Sequence, residues 1–413
     1  MKGNVMVGQS GGPTAVINAS LAGVFDAAVN LHGASSKVYG MLHGVQGLLK
    51  GNYVDLGEFI GSEADLELLK RTPAAFLGSC RYKLRRAADD DGPYRQLFKM
   101  LDELGIDYFF YIGGNDSMDT IDQLSAYAAK INSPIRFIGV PKTIDNDLVL
   151  TDHTPGFGSA AKYIATATKE LIRDGKVNDM DGVTVVEIMG RDAGWLTGSA
   201  ALCRGDDCPG PDLIYLPEVP FDIDSFLQCI YEKQKQNRMV VAAVSEGIRF
   251  LDGKYVCEAS SSLRNVDAFG HKQLTGSARV LADIIAGDVG CKVRAIEFSS
   301  LQRCAAHLTS LTDVNEAFMV GQAAVKAASE GYSGKFIMLK RVSDDPYVCQ
   351  TDICDVSLVA NLKKEVPREW INDDGNNVTS EFINYVTPLI QGEFEPIMEN
   401  GLPKHIPYVV KPL

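Results

Sequence analysis

Short runs of β-branched and aromatic residues alternate along this chain with longer, Ala-rich segments of helical period. That alternation is the signature of a mostly parallel sheet wrapped by helices. Strands are expected at Val5–Val7, Tyr108–Ile112, Arg136–Val140, Gly182–Ile188, Leu213–Leu216, Met239–Val244, Lys292–Phe298 and Lys335–Leu339. A helix is expected to begin near Pro13, because proline suits the first helical turn, and another to run from the Gly113-Gly114 loop to about Lys130. Beyond about Trp370 the pattern dissolves into Asn, Asp, Gly and spaced Pro, which predicts a loop-rich extension wrapped on the core. Nearly every dense cluster of Gly, Asp, Asn, Ser, Lys or Arg comes directly after an expected strand. In open α/β sheets the ligand crevice lies outside those carboxyl ends, so these clusters are expected to share one cleft.

Length and composition narrow the function classes. The chain has 413 residues, 46% hydrophobic and 23% charged, with a net charge of −13. This is the balance of a folded domain or two, not of a disordered or fibrous chain. No run approaches the roughly 20 apolar residues of a membrane span, and the polar Gln9 and Ser10 interrupt the N-terminus before a signal peptide could form. A cytoplasmic location is expected. The acidic balance argues against nucleic acid or an anionic membrane as partner, but a few cations in a cleft can still bind a small anion. Nine scattered cysteines read as reduced thiols, and the pairs Cys203 with Cys208 and Cys349 with Cys354 lack the spacing of a zinc site.

Gly11-Gly12 and Gly113-Gly114 each sit between a strand and a helix, where backbone N–H groups could approach a phosphate. Neither a Walker A sequence nor the G-x-G-x-x-G fingerprint is present. Asp145 and Asp147 flank Asn146 and would share a side if extended, one as proton acceptor and the other near Mg²⁺; Lys142 beside them adds the cation that phosphoryl transfer needs. Arg191, Arg294 and Arg303 could clamp a sugar phosphate, and Glu246 could accept sugar hydroxyls. Gly8-Gln9-Ser10-Gly11-Gly12 also fits a hydrolase nucleophile elbow, although that elbow should follow several earlier strands and this is the first.

Taken in order, Ser10-Gly11-Gly12-Pro13, Leu77-Gly78-Ser79-Cys80-Arg81, Gly113 to Ser117, Pro141 to Asp147, Met189-Gly190-Arg191, Ser245-Glu246-Gly247 and Arg294 with Gln302-Arg303 resemble the phosphofructokinase family, specifically its pyrophosphate-dependent branch. The resemblance implies an α/β fold of two similar three-layer lobes with mostly parallel sheets and the cleft between them. It implies that Asp145 is the base for the 1-hydroxyl of fructose 6-phosphate and that Thr143 positions the phosphoryl group. Gly11, Gly12, Arg81 and Gly114 would line the donor site. Thr143, Ile144, Asp145, Met189, Gly190, Arg191, Glu246, Arg294, Ser300 and Arg303 would hold the sugar phosphate, and Asn115 and Asp147 would serve Mg²⁺. The expected organisation is mainly a donor lobe at 1–180, mainly a sugar-phosphate lobe at 181–345 and a packed extension at 346–413, with the chain crossing between lobes, in a homo-oligomer (dimer or tetramer).

Donor choice rests on two positions. ATP-using relatives resemble Gly-Gly-Asp-Gly-Ser and Pro-Gly-Thr-Ile-Asp, whereas Asp116 and Lys142 replace the two glycines here. Two like charges about 4 Å apart repel by roughly 4 kcal/mol at an effective dielectric near 20, about a thousandfold in affinity, so Asp116 would reject a nucleotide α-phosphate. Lys142 would supply charge that pyrophosphate can use. The chain departs from the family where Asn115 replaces an Asp associated with Mg²⁺ and where Phe298-Ser299-Ser300 precedes Leu301-Gln302-Arg303. An ATP-dependent phosphofructokinase, a non-catalytic regulatory relative and a Ser10 hydrolase stay open as alternatives.

Overall fold

A computed structural model of the chain describes residues 3–32, 36–177, 180–259 and 276–408. Its strands are β1 (Asn4–Gln9), β2 (Val38–Met41), β3 (Tyr53–Asp55), β4 (Ile106–Gly113), β5 (Arg136–Pro141), β6 (Gly182–Ile188), β7 (Leu213–Tyr215), β8 (Met239–Ser245), β9 (Lys292–Glu297), β10 (Lys335–Asp344) and β11 (Tyr347–Asp355), followed by a short hairpin at 398–403. All eight expected strands are present. The three additions are short, or carry a polar outer face that weakens the apolar signal: β2, β3 and β11.

Two sheets organise the molecule. The first has the order β11-β10-β5-β4-β1-β2-β3, parallel through its middle and closed by the antiparallel pairs β2/β3 and β10/β11. Val5, Val7, Phe110, Ile138 and Val140 face one apolar layer, and Met6, Phe109, Tyr111 and Phe137 face the other. Burial on both faces is why these strands read as continuous apolar runs. The second sheet, β7-β8-β6-β9, is parallel and likewise lies between two apolar clusters. No helix among the described residues is long and apolar enough to cross a membrane.

The chain crosses between the lobes within 181–345. The helix Leu311–Ser329 packs on the helix Ile17–His32 in the first lobe. The helices approach so closely that a Cβ on Gly23 would stand 2.1 Å from Phe318 O. Next, β10 joins the first sheet beside β5, with Lys335 opposite Ile138, and β11 follows it. The chain therefore recrosses before β10, and 347–355 is sheet rather than extension. Apolar periodicity reveals a strand but not which sheet it will join. Beyond Trp370, Phe382, Val386 and Leu389 are buried against the second lobe. Another correction is at the first helix, which starts at Ile17 rather than near Pro13. Thr14 instead closes a local turn, its hydroxyl accepting from Val16 N at 3.2 Å.

Candidate active site

Three adjacent strands of the first sheet, β5, β4 and β1, end in the three loops that the sequence marks for the donor. The loop after β1 is anchored by Gly11 N donating to Cys80 O at 3.2 Å and by Ser79 Oγ donating to Gly11 O at 2.6 Å. These bonds bring Arg81 beside it. After β4, Gly114 precedes the helix Asn115–Lys130, whose first turn carries Asp116. After β5, Lys142 N donates to Gly113 O at 3.0 Å, tying the second and third loops together. Lys142 is 2% exposed, and its Nζ donates to Gly12 O at 2.7 Å. Gly11 has φ of +77°, and a Cβ there would meet Lys142 Nζ at 3.2 Å. Only glycine combines that backbone with room for the ammonium.

The second lobe closes on the same space. Met189, Gly190 and Arg191 follow β6, and Glu246 follows β8. Gly190 N donates to Glu246 Oε1 at 3.4 Å, Met189 N to Gln302 Oε1 at 3.3 Å, and Ser245 Oγ to Gly190 O. Arg303 reaches across: its Nη1 lies 3.4 Å from where a Cβ on Gly12 would stand. Asp145 lies in the fields of Lys142, Arg191 and Arg303, so groups from both lobes meet at this carboxylate.

Electrostatics make the cluster unusual. Burial pushes Lys142 down to about 8, partly countered by Asp145 and Asp147. Burial raises Asp145 above the usual carboxylate range, with the three cations pulling it back. Burial and then the Asp145 charge raise Asp147 to about 7 and Glu246 to about 8. Such perturbed groups converging in a cleft mark a functional site.

The expectation of an extended Asp145–Asp147 segment needs correction. Asn146 has φ of +53° and is fully buried, so the backbone turns between the two aspartates. Both carboxylates remain close enough to repel. Thr143 Oγ1 accepts from Asp145 N at 3.1 Å, and Ile144 is 8% exposed within the second-lobe core.

A cation suits the remaining donor set. Asn115 Nδ2 donates to Asp147 Oδ2 at 3.4 Å, while Asn115 Oδ1 is buried and has no hydrogen-bond partner among the described residues. An orphaned amide oxygen beside a carboxylate pushed toward neutrality fits Mg²⁺, which prefers oxygen ligands. A second cluster, His153, Glu316 and Cys349, is geometrically close enough for a metal. There the His153 ring nitrogens already face Asp152 Oδ1 at 2.7 Å and Glu316 Oε2 at 2.6 Å.

Two expected residues stand differently. Ser300 is exposed at the start of the turn Leu301–Cys304. Arg294 pairs with Thr184 in mid-sheet and faces Asp174 at 3.8 Å. That register leaves Arg294 about 10 Å short of the end of its strand, and its guanidinium is turned toward Asp174 instead. Ser10 is buried and hydrogen-bonds Tyr111, an environment unlike an exposed nucleophile elbow. Sequence reasoning missed Lys363 and Lys364, which follow Leu362 in the extension without any local motif.

A phosphofructokinase family model matches residues 4–328. The chain is 41% identical over 403 residues, 97% of its length and 95% of the relative's, to a protein of Halomonas elongata named pyrophosphate--fructose 6-phosphate 1-phosphotransferase. A protein of the same name from Methylococcus capsulatus is 38% identical over 98% of this chain and 95% of its own. The fold is similar to the crystal structure of pyrophosphate-dependent phosphofructokinase from Nitrosospira multiformis, with a TM-score of 0.88, 36% identity and coverage of 100% of this chain and 99% of that one. With two sheets delivering the same strand-end loops to one cleft, and near-complete relatives on either side, this chain belongs to the phosphofructokinase family.

Proposed function

We propose that this protein catalyses reversible phosphoryl transfer from pyrophosphate to the 1-hydroxyl of fructose 6-phosphate, giving fructose 1,6-bisphosphate and phosphate. The observation that carries the reading is Lys142: a buried ammonium 2.7 Å from Gly12 O, lodged between the glycine loops where a nucleotide-using relative has glycine. Asp116 adds negative charge in the adjacent helix's first turn. A compact diphosphate gains from the first charge, whereas the α-phosphate of ATP would meet the second.

In the forward direction Asp145 accepts the proton of the 1-hydroxyl, the oxygen bonds to the near phosphorus, and the bond from that phosphorus to the bridging oxygen breaks, releasing phosphate. Thr143, Gly11, Gly12, Gly114 and Arg81 orient the donor. Met189, Gly190, Ile144, Arg191, Glu246 and Arg303 hold the sugar phosphate in line. Lys142 is already in place to meet charge developing on the transferred group, without reorganisation. Asn115 and Asp147 would hold Mg²⁺, which when bound neutralises phosphate charge. The position of Arg294 supports a homo-oligomer, dimer or tetramer, in which a second copy offers this arginine to the sugar phosphate. The catalytic charge pattern disfavours a purely regulatory role.

An assay coupled to fructose 1,6-bisphosphate formation, run with pyrophosphate and separately with ATP, tests the reading. Turnover is expected with pyrophosphate and in reverse with phosphate; robust turnover with ATP alone would refute the donor assignment.

A further inference from the structure

The loop bearing Asp145 and Asp147 is braced from behind by a segment distant in sequence. Lys364 N donates to Asp147 O at 2.8 Å. Its Nζ donates to Asp152 O at 2.6 Å, Thr151 O at 3.3 Å and Asn146 Oδ1 at 3.5 Å. The ammonium also lies over the Trp195 ring, 5.3 Å from its centre, and Trp195 Nε1 donates to Lys364 O at 3.0 Å. Tyr385 completes the brace: Asn146 Nδ2 donates to its hydroxyl at 2.9 Å, and that hydroxyl donates to Asp152 O at 2.6 Å.

We propose that Lys364 is a positioning residue for phosphoryl transfer, holding Asn146 in its left-handed conformation so that the carboxylates of Asp145 and Asp147 both face the cleft. A non-glycine residue keeps such a backbone only where its surroundings over-determine it. Lys364 and Tyr385 grip the two ends of the Asn146 amide. Three ammonium hydrogens match three converging oxygens, a match that a planar guanidinium cannot reproduce.

The same segment reaches the sugar side. Lys363 Nζ pairs with Asp192, next to Arg191. Val366 N donates to Glu218 Oε1 at 2.9 Å, the oxygen that also accepts from Gly194 N at 2.7 Å. Residues 363–366 therefore tie the loop of the base to the loop of the phosphate clamp.

This inference rests on the proposed reaction for its kinetic test. Lys364→Met keeps the stem and removes the donors. It is expected to lower kcat by about a hundredfold, as a displacement of roughly 1 Å at a reacting group does, with KM for both substrates within about threefold. Lys364→Arg should not rescue it. Amide exchange at Asp145–Asp147 should accelerate at least about tenfold while the loop at 189–191 keeps its protection. If Lys364→Met does not fold, Tyr385→Phe, which keeps the ring packing, should lower kcat roughly fivefold at unchanged KM. An unchanged kcat in a folded variant, an equal loss of kcat and sugar-phosphate affinity, or unchanged exchange would overturn the proposal. Activity ratios are taken with whichever donor the wild type uses, so a wrong donor leaves this test intact. A wild type inactive with both donors would contradict the proposed reaction, and the exchange comparison would still decide the positioning role.

Discussion

The two lobes supply their halves of the cleft in different ways. The first sheet ends on each side in an antiparallel strand, β3 or β11, and its donor loops are tied together within one chain, with Lys142 locked onto Gly12 O. The second leaves β9 at its edge with Lys292 and Ala295 exposed and Arg294 about a third exposed. An uncovered edge is a place where another chain can settle. The donor side is thus self-contained and preorganised. The sugar side, in the proposed reading, takes Arg294 from a second copy.

The largest effect is expected at the seam. Asp145→Asn should reduce kcat by roughly two or more orders of magnitude, because the amide cannot accept the hydroxyl proton, while thermal unfolding stays near wild type. Near-wild-type turnover would remove Asp145 from the role of base. On the sugar side, Arg191→Lys should weaken kcat/KM for fructose 6-phosphate about thirtyfold, since lysine lacks the planar fork, and leave KM for pyrophosphate unchanged. A matching loss for both substrates would erase the division between lobes.

Arg294→Ala sharpens the comparison further. It should raise KM for fructose 6-phosphate by about tenfold in the assembled protein, the scale of one charged hydrogen bond lost to solvent, with no change for pyrophosphate. An unaltered KM would mean that the exposed edge serves no sugar site. The smallest effect is in the pH profile. Lys142 titrates near 8 in the free protein, its charge disfavoured first by burial. As pH rises through that value the ammonium loses its proton, so kcat/KM for pyrophosphate should fall above about pH 8. Asp145 is raised above the ordinary carboxylate range, so protonation should bring an acid limb at higher pH than for a free aspartate. In Lys142→Met the alkaline limb should vanish, and its persistence would assign that limb to another group.

Much of the fold was legible because buried parallel strands advertise themselves twice, as apolar runs and through the glycine and charged loops that end them. β1, β4, β5, β6 and β8 all carried both signals. The return of β10 to the first sheet was not legible, since partner choice is decided by tertiary packing. The site divided along the same line. Lys142, Asp145, Arg191 and Glu246 adjoin strand ends and were readable there. Lys364 was not, because its role depends on three oxygens of a loop more than two hundred positions away. The left-handed Asn146 was likewise hidden, since Asn tolerates that backbone but does not require it.

The most direct test of the account compares the ratio of kcat/KM for pyrophosphate to that for ATP in the wild type and in the double variant Asp116→Gly with Lys142→Gly. The wild-type ratio should exceed about a thousand and fall by at least roughly tenfold in the variant, as the charge arithmetic requires. Efficient use of ATP by the wild type, or a ratio untouched by the double change, would contradict it.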